Sequence, residues 1–189
     1  MKPAPRRRAA LLTAALALVL PLRAPAAHAQ IQASALSDAE VEQVRDARIS
    51  PAGCITLYVK FLDDRTGKIH DLFAKPRRPG RETDTRELME QFTSIADELS
   101  DNLDDYGPRH ADLRKALPKI LSGADHWTKE LNALPDDESY SVARKIALES
   151  IRDLHDSATE LTTEQDTWFK AHPPSKEKEE RNGPIDIPR

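Results

Sequence analysis

The sequence predicts an all-α protein: an antiparallel up-down four-helix bundle with a short extra N-terminal helix and a disordered C-terminal tail. Three observations predict it. From Ile55 to Trp168 the apolar residues return every three or four positions, the period of one helical face. Val and Ile never fall into alternating runs, and the 189 residues hold only six glycines, so strands have little support. Prolines and glycines gather where the apolar rhythm breaks, as helix ends require.

The first amphipathic segment spans about Ser37 to Ile49. Ser37 is an N-cap candidate, and Glu40 three residues on completes a capping box. Val41 and Val44 give it a thin apolar edge. Ser50-Pro51 then opens the second segment, with Ser50 as cap and Pro51 at the first helical position, where its missing N–H costs nothing. That segment runs to about Phe73 on the stripe Ile55, Val59, Leu62, Thr66, Ile69, Phe73, a heptad seam. Gly67 weakens it by ~1 kcal/mol relative to Ala, and Pro76, Pro79 and Gly80 end it.

The third segment runs from about Asp84 to Tyr106, with Asp84 and Glu87 as its start signal. Its stripe is Leu88, Phe92, Ile95, Leu99 and Tyr106, widened by Met89, Ala96 and Leu103. Gly107-Pro108 stops it, as a left-handed cap followed by proline would. The fourth segment runs from about Pro108 to Leu134 on Leu113, Leu117, Ile120, Ala124, Trp127, Leu131 and Leu134. Pro118 falls inside it and predicts a kink. The fifth runs from Asp136 or Asp137 to His172 on Ala143, Ala147, Ile151, Leu154, Ala158, Leu161 and Trp168. It is the longest, so its C-terminal end is expected to overhang. Short links between long helices predict that consecutive helices pack as antiparallel neighbours.

Three parts of the chain are expected. Residues 1–29 read as a cleavable signal peptide: a basic start (Lys2, Arg6, Arg7, Arg8), an apolar run of about 14 residues, too short for the ~20 a membrane span needs, and small residues Ala27 and Ala29 before Gln30. Residues 30–172 are the helical bundle domain, and 173–189 the charged tail, expected to be disordered. Cleavage implies a periplasmic or secreted protein without a transmembrane segment.

The whole chain has 28 Lys+Arg, 32 Asp+Glu and a formal charge of −4. Five of the basic residues lie in the signal region, so the processed chain would carry 23 against 32, a charge of −9. Such a surface argues against a nucleic-acid partner. The single Cys54 excludes an internal disulfide and is expected to be a buried thiol.

No motif assembles catalysis. Gly-x-Ser-x-Gly, His-Glu-x-x-His and a phosphate-cradling glycine loop are all missing, so the expectation is a protein that is not an enzyme and carries no cofactor. His126 and Glu130, at i and i+4, share a helix face and are the metal candidates, although no Glu-x-x-His accompanies them. Met89 is a candidate haem ligand but suits a core position better. Lys75, Arg77, Arg78 and Arg81 form a basic island after the second segment and are candidate contacts for an anionic partner. Asp97, Asp101, Asp104 and Asp105 face the basic residues that follow Gly107, and local ion pairing with Arg109, His110, Arg114 and Lys115 is expected. The function these features suggest is an extracytoplasmic helical bundle acting by macromolecular binding or self-association, with the overhanging end of the fifth segment as contact. The alternative is a periplasmic bundle that binds a metal or haem for storage, transport or electron transfer.

Overall fold

The computed structural model describes residues 35–173. The described residues are all helical and contain no strand: α1 (Asp38–Ala47), α2 (Pro51–Ala74), α3 (Arg81–Tyr106), α4 (Leu117–Asn132) and α5 (Ser141–Ala171). The signal-peptide region, and the tail apart from Pro173, lie outside them. No described helix is long and apolar enough to cross a membrane.

Local chemistry sets most helix starts. Ser37 caps α1, its hydroxyl accepting from the Glu40 N–H while the Glu40 carboxylate accepts from the Ser37 N–H. Ser50 caps α2 through the Gly53 N–H, with Pro51 in the first turn. α3 begins three residues before the expected Asp84, at Arg81, on a Gly80 with φ 85°. That left-handed backbone is one only glycine adopts without cost.

The fourth segment differs most from expectation. Its helix starts at Leu117, and 107–116 form a connection instead of a first helical turn. Pro118 is the reason: it cannot donate a backbone hydrogen bond and its ring crowds the preceding turn, so it starts the helix where it was expected to kink one. Nor is Gly107 the left-handed cap. It is right-handed at φ −55°, and the positive φ falls on His110 at 51°. Gly107 instead lies close against α5: a Cβ there would stand 2.8 Å from Leu161 Cδ2, so that leucine side chain would have to shift.

Helix packing pairs α2 with α3, α3 with α5, α5 with α4, and α4 with α2, while α1 packs on α2. The consecutive helices α3 and α4 are therefore not neighbours, contrary to the expectation from short links. The 107–116 connection is long enough to carry the chain across the bundle. Only side chains join α3 and α4: the Phe92 and Trp127 rings meet edge to face at the centre, 5.5 Å apart. The seam residues Ile55, Leu62, Phe92, Ile95, Leu99, Ile120, Trp127, Ile151 and Leu154 are all buried. At 25–30 cal/mol per Å² of apolar area removed from water, such burial drives the assembly. Met89 is fully buried among them.

Candidate functional site

Two of the four buried polar side chains fasten a short segment to the bundle. Arg65, 3 % exposed, donates to Glu40 Oε1 at 2.6 Å and Oε2 at 2.8 Å, to the Ala35 carbonyl at 2.7 Å, and through Nε to Gln91 at 3.0 Å. The guanidinium beside Glu40 holds that carboxyl down to about 2, helped by Ser37 and opposed by burial. Gln165, 2 % exposed, accepts from the Leu113 N–H at 2.9 Å and donates to the Ala111 carbonyl at 2.8 Å.

One face of the end of α5 meets the 107–116 connection, while Thr163, Glu164, Asp166, Thr167 and Lys170 remain exposed. His110 and His172 stack on opposite faces of Trp168, at 3.6 and 3.8 Å between ring centroids. The Arg114 guanidinium lies 4.2 Å over the Phe169 ring. The face of the fifth helix that carries Gln165, Trp168 and Phe169 thus meets the chain's own 107–116 connection.

The basic island is neutralised where it stands. Lys75 pairs with Asp71 at 3.9 Å, Arg77 with Glu82 at 3.1 Å, and Arg78 with Asp84. Arg81 pairs with Glu82 at 3.2 Å and lies 4.5 Å over the Phe73 ring. These acids flank the island in sequence, and folding brings them onto it.

The metal candidates have different surroundings. Glu130 accepts from or pairs with His70 Nδ1 at 3.1 Å, across from α2. His126 is exposed and lines a groove between α2 and α4. Among the described residues no three His, Cys, Asp or Glu side chains group closely enough to hold a metal ion. In that groove Trp127 Nε1 donates to Asp63 Oδ1 at 2.7 Å.

The acidic face of α3 is paired only in part. Arg109 meets Asp105, and Arg114 turns back to Asp112 at 2.7 Å. Asp97, Asp101 and Asp104 receive no cation within ion-pair distance among the described residues. Burial, reinforced by the neighbouring Asp101, pushes the Asp97 carboxyl up. Asp104 lines a second groove with Glu160 and Glu164 of α5, over Leu103, Gly107 and Leu161. Neither glutamate has a salt-bridge partner among the described residues.

Cys54 is a buried free thiol. Burial pushes its pKa up, against the pull of the adjacent Tyr106 hydroxyl. The neighbouring Tyr58 hydroxyl donates to Glu98 at 3.0 Å, and burial with that carboxylate holds it protonated well above the usual tyrosine range.

Sequence reasoning missed Arg65 and Gln165. The signals were there: Gln165 occupies the seam position between Leu161 and Trp168, and Arg65 continues the spacing Tyr58, Phe61. A polar residue on a core-facing position demands a buried partner. No protein-family model, curated protein or solved structure matches this chain.

Proposed function

We propose that this protein is an extracytoplasmic helical bundle that binds a macromolecule through a cationic segment of that partner. One observation carries the reading: Asp104 of α3 and Glu160 and Glu164 of α5 line one groove, and none of the three has a salt-bridge partner among the described residues. Asp101, three residues before Asp104 on α3, likewise has no salt-bridge partner among the described residues, while the basic island is paired internally. Complementary charge steers a cationic partner to that groove and rejects anionic ones.

The bundle in this proposal is up-down, with α1 as an additional N-terminal helix. Tyr58 to Glu98 and Arg65 to Gln91 support opposite directions for α2 and α3. Thr56 with Lys119, Asp63 with Trp127, and His70 with Glu130 support a common direction for α2 and α4. The approach of Gly107 to Leu161 favours the same for α3 and α5. In that arrangement the groove at the α3 and α5 ends lies between parallel helices.

A lysine-rich peptide titrated by calorimetry tests the binding reading. Affinity is expected to fall at least tenfold from 50 to 300 mM salt. It is also expected to fall at least tenfold when Asp101, Asp104, Glu160 and Glu164 become their amides together. Binding that ignores both changes defeats the proposal. N-terminal sequencing of the exported chain tests the address, with Gln30 as the expected first residue.

A further inference from the structure

The groove between α2 and α4 has a different chemistry from the acidic side. It measures about 590 Å³, within the range of roughly 300–1,000 Å³ usual for small-molecule sites. Its apolar floor is the buried Val59 of α2 together with Gly123 and Pro118 of α4. Gly123 makes that floor possible. The Trp127 ring lies against it so closely that a Cβ would sit 2.6 Å from the ring.

The rim carries two lysine ammonium groups. Lys60 projects from α2, and Lys119 and His126 from α4. Lys60 stands 4.0 Å from Asp64, the outer limit of an ion pair. Lys119 Nζ crosses the groove to Thr56 Oγ1 at 3.3 Å, and that hydroxyl gives its own proton to the Ala52 carbonyl. An ammonium has three N–H donors, so Lys119 retains two for a ligand. The one carboxylate lining the groove, Asp63, keeps its charge but is held on Oδ1 by the Trp127 indole N–H at 2.7 Å, so the two ammonium groups outnumber it. The rim therefore offers spare cationic donors above an apolar floor.

We propose that this groove binds a small organic anion, with its head group between Lys60 and Lys119 and a short apolar chain along Val59, Pro118 and Gly123. The inference is independent of the acidic side and of any macromolecular partner.

Titrating the full chain with octanoate, followed by backbone amide chemical shifts, tests it. Saturable shifts are expected around Lys60, Lys119 and Gly123. Replacing both lysines (Lys60→Gln with Lys119→Gln) should weaken binding at least tenfold. Both side chains are exposed, and an unchanged circular-dichroism spectrum verifies that the double variant is folded. Octanol, which lacks the charge, and inorganic phosphate, which lacks the chain, should each bind at least tenfold more weakly than octanoate. The proposal is overturned by no saturable shifts with octanoate, by octanol or phosphate binding as well as octanoate, or by unchanged affinity in the double variant.

Discussion

Arg65 and Gln165 solve one problem in two ways. Each is a buried polar side chain that ties a segment lying outside the four long helices to one of them: Arg65 of α2 holds the stretch 35–40, and Gln165 of α5 holds 111–113. The first tie is an ion pair and the second a neutral amide that meets one N–H and one carbonyl. An ion pair out of water is strong once formed but leaves an uncompensated charge when either partner is lost. An amide pair is weaker, carries no charge and ignores pH. The N-terminal segment is thus fastened conditionally, the 107–116 connection unconditionally.

The sharpest way to break this comparison is to remove the counter-ion. Glu40→Ala strands the Arg65 guanidinium in a site where it is 3 % exposed, and should cost about 3–5 kcal/mol. Because among the described helices α1 packs only on α2, the loss should appear as collapsed hydrogen-exchange protection in 38–47, with α4 and α5 protected as before.

Acid should separate the two ties without any mutation. The Glu40 carboxyl titrates near 4.5 when unfolded and near 2 when paired with Arg65. A group with a depressed folded pKa contributes its full stability above the unfolded value and loses it as pH falls through the folded one. Urea midpoints should therefore drop between pH 4.5 and 2, by a contribution of up to about 3 kcal/mol. In Glu40→Gln that part of the drop should vanish, whereas Gln165→Leu should leave it intact.

Gln165→Leu probes the neutral tie. It leaves the Leu113 N–H, on a residue with no exposed surface, and the Ala111 carbonyl unpaired. The expected cost is about 2 kcal/mol, independent of pH between 4 and 8. Loss of protection should centre on 111–116.

The smallest effect expected is a gain. Gly67 sits on the exposed side of α2, and a Cβ there meets nothing within 4 Å. Gly67→Ala should raise stability by about 0.5–1 kcal/mol. It touches neither tie, so the pH dependence of the wild type should persist unchanged.

Much of the fold could be read in the chain, and the failures have particular causes. Ser37 with Glu40, and Ser50 with Pro51, act within three residues, so their roles as caps are local facts that folding did not alter. Pro118 was seen as a helix breaker but assigned to the wrong side of the break. Proline is tolerated in a first turn and disruptive in an interior, and the buried Leu113 made a loop look like a continued helical stripe. The basic island was legible as a charge run, but not its neutralisation. Asp71 reaches Lys75 within one helical turn, whereas Glu82 and Asp84 reach Arg77 and Arg78 only through the turn of the loop into α3.

By itself the sequence determined that the described chain is helical, which residues form the greasy side of each helix, and where most helices stop. Those properties rest on contacts three or four positions apart. Tertiary structure alone decided that α3 lies beside α5 instead of α4, that Arg65 meets Glu40, and that Gln165 meets Ala111 and Leu113. The physical reason is distance along the chain. Periodicity says that a side must be hidden but not against what, and the partners of the two buried ties stand 25 to 54 positions away.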